Sequence, residues 1–378
     1  MESPYTVIIH TPQELNHSSY VQTGLFELAH AGLINVKVKL SLKKNSGTFS
    51  VDTNGNVLDE NRPFPKASYY TLIDSTTNKK IFFATDLYDS AVKFSKTGLE
   101  HCDFYFKRNF EARYIVTIKD RANAKIYNLG MTFGTHSEFK HSRLKFLFGL
   151  YASNLLLNFK KDRDILNRLL KTIRAQKRHW EFIKTTRNIS RFEAFNEDTN
   201  NTILFQTRTF LHENDLDVKQ IHQQRYRIIK LLRKEFPNRF LGGFVPSKIS
   251  EELYGDALTN VPTAPEEYLD AIKKAGIVVY TRGLVNSPAW KMSEYLSQGK
   301  VIIAEPLTAE LPVPLTEGKE VLYFHNDKEL VEKIKLVSED KALAEKLSVN
   351  ARAYFEKHVH PVQNVKRILE LMLNKPLD

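Results

Sequence analysis

The N-terminal half of the chain alternates short apolar runs with amphipathic stretches. The apolar run YTVIIH at 5–10 predicts a strand, and residues 20–32 predict a helix that ends at Gly32. Runs rich in β-branched and aromatic residues predict further strands at 35–42, 67–73, 80–86, 102–108 and 125–131. The turn-rich stretch 43–65 predicts a hairpin insertion.

A second alternation follows the polar linker 195–202. It predicts strands at 203–208, 239–245, 277–283, 300–306 and 321–326, separated by helices at 214–236, 264–276, 327–339, 340–356 and 360–374. Strands separated by helices imply right-handed crossovers and a parallel sheet covered on both faces. We therefore predict an α/β fold with two Rossmann-like, doubly wound domains facing a cleft.

The length of 378 residues suggests two domains, at roughly 100–200 residues per domain. We predict an N-terminal domain at 1–196, a C-terminal domain at 197–357 and a last helix at 358–378, whose return to the N-terminal domain is left open. A single cysteine, Cys102, excludes an intramolecular disulfide and fits a reducing compartment. No apolar run approaches the ~18–20 residues that cross a bilayer, so we expect a cytoplasmic protein, soluble or peripheral at the inner face of a membrane.

The net charge of +11 favours anionic partners, and it is concentrated in one helical segment, 138–190. Apolar residues at helical spacing in this segment suggest a face that rests on an anionic membrane: Leu144, Phe148, Tyr151, Leu155 and Phe159. The alternative is that this face packs inside the N-terminal domain and the charges are solvated.

The stretch 282–306, RGLVNSPAWKMSEYLSQGKVIIAEP, combines a helix start with two charged side chains. Asn286 or Ser287 is expected to cap the helix, and Lys291 and Glu294 to share one of its faces with Ser287. A helix N-terminus at the carboxyl edge of a sheet favours a phosphate, which Lys291 would neutralise, while Glu294 would accept hydrogen bonds from a ribose diol. The alternative is an ordinary amphipathic helix with an exposed Lys–Glu pair.

The run SPAWKMSEYLSQGKVIIAE, continuing through PVPLTEGKEVLYFHNDKELVEKI, resembles the C-terminal domain of GT-B-fold glycosyltransferases of the group 1 type. The resemblance covers residues 200–378 and implies a nucleotide-diphosphate sugar as donor, with Glu294 on the ribose. Members of this kind use arginine, lysine and helix dipoles instead of a divalent ion, so no cofactor or metal is expected. Many retaining members have a glutamate where this chain has Asn286, so the resemblance leaves the inverting or retaining course open.

Three more residues near strand ends are candidates for the donor site. Arg208 and Arg282 follow predicted strands and would contact a diphosphate. Gly243 would allow the backbone to approach the ligand closely. The alternatives are surface arginines and a simple tight turn.

Transfer to a hydroxyl in an inverting enzyme requires a general base. Asp86, at the end of an apolar strand, is the preferred candidate, with His17, His10 and His136 as weaker ones. Polar residues at strand ends more often cap the next helix.

Two other classes of function remain open from the sequence. One is a non-catalytic nucleotide-binding protein of the same fold, because fold does not establish catalysis. The other is a basic nucleic-acid-binding protein, for which the chain lacks a recognisable module. We expect a nucleotide sugar and a glycan or lipid-linked acceptor as partners, and no nucleic acid.

Overall fold

A computed structural model describes residues 3–11, 13, 15–40, 47–62, 64, 66–139, 170, 174, 181, 185–195, 200–211 and 215–377. The apolar face predicted at 144–159 lies outside these residues. The chain divides into two compact units. The first combines Met1–Ile189, Ala309–Pro312 and Val359–Asp378, and the second combines Ser190–Thr308 and Val313–His358.

The described residues form the following strands and α-helices, which alternate more regularly in the second unit than in the first. The strands are β1 (Tyr5–Thr11), β2 (Asn35–Leu40), β3 (Thr48–Val51), β4 (Val57–Glu60), β5 (Ala67–Asp74), β6 (Lys79–Asp86), β7 (Lys93–Ser95), β8 (Phe104–Lys107), β9 (Lys125–Asn128), β10 (Thr135–His136), β11 (Arg187–Asn188), β12 (Ile203–Thr207), β13 (Phe240–Phe244), β14 (Ile277–Tyr280), β15 (Val301–Ala304) and β16 (Leu322–Tyr323). The α-helices are α1 (Leu15–His30), α2 (Lys96–His101), α3 (Ala112–Ile118), α4 (Ile189–Glu193), α5 (Leu216–Glu235), α6 (Lys248–Tyr254), α7 (Pro265–Lys274), α8 (Trp290–Ser297), α9 (Asp327–Glu339), α10 (Lys341–Tyr354) and α11 (Pro361–Leu373).

The main sheet of the first unit is mixed, with the strand order β2-β1-β5-β6-β8-β9. Strand β5 runs antiparallel to both of its neighbours, whereas the other pairings are parallel. The expectation of a fully parallel sheet is therefore wrong for this unit. The reason is the short turn 75–78 between β5 and β6, since so short a connection joins only antiparallel strands. The hairpin predicted within 43–65 is confirmed as β3 and β4.

The last helix, α11, belongs to the first unit and packs against α1. A Cβ atom at Gly24 of α1 would lie 2.4 Å from the carbonyl oxygen of Pro361 and 2.5 Å from a Val365 methyl, so glycine permits the close approach of the two helices. The buried Asn364 side chain donates to the Leu129 carbonyl at 2.9 Å. This contact anchors α11 at the chain segment that follows β9.

The second unit has a fully parallel sheet, with the strand order β13-β12-β14-β15-β16. The strands are almost entirely buried, as expected for a parallel sheet with both faces covered. Helix α5 supplies Ile228, Ile229 and Leu232 to the same core, and α9 supplies Leu330 and Ile334. The doubly wound α/β fold predicted for this half is confirmed.

The lysine of the motif GKVII, Lys300, is buried and has a local role in the second unit. Its ammonium donates to the Lys273 carbonyl in the last turn of α7, at 2.7 Å. Burial lowers the pKa of Lys300 to about 8. Lys300 thus caps a helix C-terminus at the amino end of β15, away from the carboxyl edge of the sheet.

Candidate functional site

The candidate site of the second unit lies at the carboxyl edge of its parallel sheet. Strands β12, β14 and β15 are adjacent and end at Thr207, Tyr280 and Ala304. Charged residues follow each of them: Arg208, Arg282 and Glu305. Carboxyl ends of parallel strands share one edge of a sheet, and open α/β sheets bind ligands at that edge.

The loop from β14 to α8 folds differently from the sequence prediction. Val285 and Asn286 adopt left-handed conformations, with φ of 53° and 57°, within a short 3₁₀ turn. The Ser287 carbonyl then accepts the Gly283 N–H at 2.9 Å. A side chain at Gly283 would lie 2.8 Å from that carbonyl oxygen, which explains the glycine.

Helix α8 therefore begins at Trp290, with Ala289 as its N-cap. The predicted caps, Asn286 and Ser287, are wrong, because Asn286 ends the 3₁₀ turn and Ser287 is the C-cap of that turn, before the helix starts. The Tyr280 hydroxyl accepts the N–H of this N-cap residue at 2.8 Å.

The shifted start changes the positions of the predicted site residues along α8. Lys291 lies in the first turn and Glu294 one turn later, so this pair keeps its shared face. Ser287, although buried, lies outside the helix and does not share that face. Asn286 is exposed, and its carbonyl accepts the Thr308 hydroxyl at 3.1 Å.

Lys291 is half-buried, and its ammonium lies 5.2 Å from the centroid of the Tyr268 ring. Among the described residues, no carboxylate lies within ion-pair distance of this ammonium. Burial is the main cause that lowers the pKa of Lys291 to about 7; the positive charges of Arg225 and Arg208 act in the same direction, and the charge of Glu294 opposes them. The site thus contains a lysine whose charged form is disfavoured by burial.

Glu294 is 5 % exposed, and it is the acidic residue whose charge acts on Lys291. Acidic residues are rarely this buried unless their oxygens have partners. Its position on α8, one turn from Lys291, keeps it at the same end of the sheet as Arg208 and Arg282.

Arg208 and Arg282 differ in how their charges are balanced. Arg282 forms an ion pair with Asp217 at 2.6 Å, and the second oxygen of Asp217 accepts the Val285 N–H at 2.8 Å. The charge of Arg282 is therefore already neutralised. Arg208 has an exposed side chain whose guanidinium carbon lies 5.7 Å from the Phe210 ring centroid. In contrast to Arg282, Arg208 has no carboxylate within ion-pair distance among the described residues.

Arg225 of α5 is a member of the site that sequence reasoning missed. It is 5 % exposed, and its guanidinium donates to the carbonyls of Arg208 at 2.8 Å and Arg282 at 3.1 Å. Burial lowers the pKa of Arg225 to about 10. The sequence did contain a sign of this burial, because Arg225 lies in the apolar stripe of α5 between Ile221 and Ile228.

Gly243 does not provide the open backbone surface that was predicted for it. It has φ of 141°, and a Cβ atom would lie 2.6 Å from the carbonyl oxygen of Ala257. Gly242 has φ of 133°, and a side chain there would meet the carbonyl of Phe205 at 2.1 Å. The glycine pair admits neighbouring chain segments instead of a ligand.

In the first unit, the preferred base candidate, Asp86, is completely buried. Its carboxylate accepts from the Lys107 ammonium at 2.8 Å and from the Tyr105 hydroxyl at 2.6 Å. Burial lowers the pKa of Lys107, and the charge of Asp86 opposes that shift. An acid enclosed in this way has no route to a substrate hydroxyl. The weaker candidate, His17, lies half-buried in α1.

We expect Asp86→Asn to lower the free energy of unfolding by about 3 kcal/mol, because it leaves the Lys107 ammonium buried without a negative partner. Chemical denaturation of the variant measures this loss. Asp89→Asn is a suitable control, since Asp89 pairs with Lys66 and Arg108 at a partly exposed position. A variant of Asp86 with wild-type stability and no catalytic activity would restore the catalytic interpretation.

Neither a metal-binding cluster nor a membrane-spanning helix occurs among the described residues. No group of three or more His, Cys, Asp or Glu side chains is arranged there to hold a metal ion. Within the same residues, no helix has both the length and the apolar character to span a membrane.

Residues 225–370 match the family model described as glycosyl transferase-like. This segment is similar to that family. The resemblance predicted from the sequence is thereby confirmed for that part of the chain. The glycosyl transferase-like segment begins at Arg225 and includes Arg282, Lys291 and Glu294. A search of curated proteins gives no match to the chain.

Solved glycosyltransferase structures are similar to this chain at low identity. An alpha-glucosyltransferase in complex with UDP is 12 % identical, with 98 % of this chain and 100 % of that chain covered and a TM-score of 0.42. The glycosyltransferase WaaG, involved in lipopolysaccharide biosynthesis, is 10 % identical, with 72 % and 65 % covered and a TM-score of 0.36. The C-terminal domain of a group 1 glycosyl transferase from Francisella tularensis is 12 % identical, with 40 % and 82 % covered and a TM-score of 0.29. Similarity at this level says nothing about the substrate of this protein.

Proposed function

We propose that the protein is a glycosyltransferase that moves a sugar from a nucleotide-diphosphate sugar to a hydroxyl of a glycan, glycolipid or glycoprotein. The supporting observation is the group Arg208, Arg225 and Lys291, which lies at the carboxyl edge of the parallel sheet beside Glu294. For none of the three cations does a described carboxylate lie within ion-pair distance. This excess of positive charge suits a diphosphate, and Glu294 suits the ribose next to it.

The reaction breaks the bond between the anomeric carbon and the diphosphate oxygen and forms a bond to the acceptor oxygen. The acceptor hydroxyl loses a proton, and the leaving diphosphate gains negative charge. Arg208 and Lys291 stabilise that charge in a partly buried site, where electrostatic interactions are stronger than in water. In this proposal the side chains neutralise the diphosphate without a metal ion. The base that takes the proton is not among the residues assigned here.

A donor screen tests the proposal. Thermal unfolding is measured with GDP-, UDP-, dTDP- and CMP-sugars, and the stabilising donor is then assayed for release of nucleoside diphosphate, with and without EDTA. We expect one diphosphate sugar to raise the unfolding temperature and to turn over in both conditions. No stabilisation by any diphosphate sugar would reject the donor site, and activity lost in EDTA would reject metal independence.

The donor screen, together with a binding assay on random DNA at several salt concentrations, separates the two alternative functions. A non-catalytic nucleotide-binding protein would be stabilised by a nucleotide sugar without turning it over, whatever the acceptor. A nucleic-acid-binding protein would bind random DNA with a steep salt dependence and ignore nucleotide sugars. The glycosyltransferase proposal expects neither result.

The location of positive charge supports an acceptor at a membrane surface. Residues 140–191 contain 14 Lys and Arg against 3 acidic residues, an excess equal to the net charge of +11 for the whole chain. We propose that this segment meets anionic lipid at the cytoplasmic face, where a lipid-linked acceptor is presented. Flotation with phosphatidylglycerol vesicles, but not with phosphatidylcholine vesicles, is the expected result. Equal recovery with both vesicles, or with neither, would contradict it.

A further inference from the structure

Arg225 links two neighbouring strand ends of the second unit. Its guanidinium donates one hydrogen bond to the Arg208 carbonyl, at 2.8 Å, and another to the Arg282 carbonyl, at 3.1 Å. Arg208 follows β12 directly, and Arg282 follows Thr281 after β14. The Phe210 ring covers the guanidinium, with its centroid 5.0 Å from the guanidinium carbon. One side chain therefore fixes the backbone of both predicted phosphate ligands.

The positive charge of Arg225 lacks a partner of opposite charge. Among the described residues, no carboxylate lies within ion-pair distance of Arg225, and its Nε is buried without a hydrogen-bond acceptor. Glu305, the carboxylate whose charge acts on Arg225, has its oxygens occupied by the Gln224 amide at 2.6 Å and the Arg282 N–H at 2.8 Å. Burying such a charge is costly unless something else balances it.

Lys107 in the first unit shows what a balanced buried cation looks like in this protein. It is completely buried, and it forms an ion pair with Asp86 and donates to two backbone carbonyls. Arg225 has the two carbonyls and no acid. The missing negative charge therefore points to an anionic ligand at the carboxyl edge. Two more cations lie near enough to interact electrostatically with Arg225: the charge of Arg208 acts on Arg225, and the charge of Arg225 acts on Lys291.

We propose that Arg225 is a positioning residue of the donor site, which holds the ends of β12 and β14 so that Arg208 and Lys291 engage the diphosphate. The proposal rests on the function proposed above. Arg225 acts through the backbone of Arg208 and Arg282, and its charge adds to the field that attracts the diphosphate. A lysine in its place would keep the charge but would lose the planar fork that reaches two carbonyls at once.

The experiment compares pyrophosphate binding by calorimetry at pH 7 in the full-length protein and three variants. Arg225→Lys and Arg225→Gln alter the proposed residue. Arg233→Gln is the matched control, because Arg233 lies on the same helix and also donates to backbone carbonyls, including Leu258 at 2.6 Å, away from the carboxyl edge. Thermal unfolding of every variant reports the structural cost separately.

We expect pyrophosphate affinity to fall about 10-fold in Arg225→Lys and about 100-fold in Arg225→Gln, while Arg233→Gln stays within about twofold of wild type. The loss of pyrophosphate affinity in the two Arg225 variants should be larger than in any control variant whose unfolding temperature falls by the same amount. If Arg225→Gln does not fold, Arg225→Lys decides alone. Wild-type affinity in Arg225→Lys, or an equal loss in Arg233→Gln, overturns the positioning role.

The outcome is distinguishable from failure of the proposed function. If the wild-type protein binds neither pyrophosphate nor nucleoside diphosphates, the donor site itself is rejected. If the wild-type protein and Arg225→Lys bind both ligands equally well, only the role of Arg225 is rejected. If binding depends on Arg225 but no sugar is transferred, the positioning role stands and the catalytic proposal fails.

Discussion

Glu294→Ala is expected to reduce sugar transfer and nucleotide affinity by about 1,000-fold. Two hydrogen bonds from a ribose diol to a carboxylate are worth about 1.5–3 kcal/mol each, and both are lost. Since the ribose is common to nucleoside and nucleotide, affinity for the bare nucleoside should fall by the same factor. Equilibrium binding of the nucleoside and its diphosphate to the purified variant measures both.

Glu320→Ala is the control for this substitution. Glu320 is a buried acid of the same unit, and its carboxylate accepts the Thr316 N–H at 2.9 Å, before β16. Its loss should lower stability and leave nucleotide affinity intact. If Glu294→Ala binds nucleoside as tightly as wild type, Glu294 does not contact the ribose. The face of α8 that carries Lys291 and Glu294 would then have a structural role only.

Lys291→Met is expected to weaken binding of the diphosphate sugar about 100-fold at pH 6.5 and to leave bare nucleoside binding unchanged. Lys291 has a pKa of about 7 in the free protein, and a bound diphosphate raises that pKa. Below pH 7 the lysine is already charged and wild-type affinity is constant. Above pH 7 binding must take up a proton, so affinity falls by up to about tenfold per pH unit. The affinity of the variant should not change between pH 7 and 9.

Lys291→Arg tests whether protonation of Lys291 causes the pH dependence of binding, because arginine stays charged between pH 7 and 9. Its affinity should no longer fall between pH 7 and 9. Calorimetry in two buffers of different ionisation enthalpy counts the proton taken up by the wild type. A wild-type affinity that does not change from pH 7 to pH 9 would show that Lys291 does not meet the phosphate.

Lys291 also affects the stability of the free protein. Its folded pKa of about 7 lies below the unfolded value of 10.5, so the folded state binds fewer protons between these two limits. The resulting destabilisation is fully present below pH 7 and disappears as the pH rises towards 10.5. A residue that lowers stability while favouring ligand binding is typical of a functional site.

The strands and helices of the second unit were largely predictable, because each is determined by residues that are close together in the sequence. Buried parallel strands appear as continuous apolar runs, and caps such as Asn326 and Asp340 mark helix starts. Helix α9 was predicted at 327–339, and the structure has it at Asp327–Glu339. The positions of Arg208, Lys291 and Glu294 near the carboxyl edge follow from the same rules.

The errors arose where distant residues decide the outcome. The pairing of Asp86 with Lys107 joins residues on two strands, and no local pattern shows that both side chains turn inward. The start of α8 follows a 3₁₀ turn with left-handed residues, and the N–H of its N-cap, Ala289, is bound by the Tyr280 hydroxyl of β14. Arg225 stands among several basic residues of α5, and only the burial of its face distinguishes it from Arg227 and Arg233.

The first unit is completed by the last helix of the second half of the sequence. Residues 361–373 cover α1 at Gly24, and the intervening residues 190–308 and 313–358 form the other unit. During synthesis on the ribosome, the side of α1 that packs against α11 therefore stays exposed until residues 361–373 have been made, which is after more than half of the chain. We expect the second unit to mature independently, and the N-terminal region to remain dependent on chaperones or open to proteases until α11 emerges.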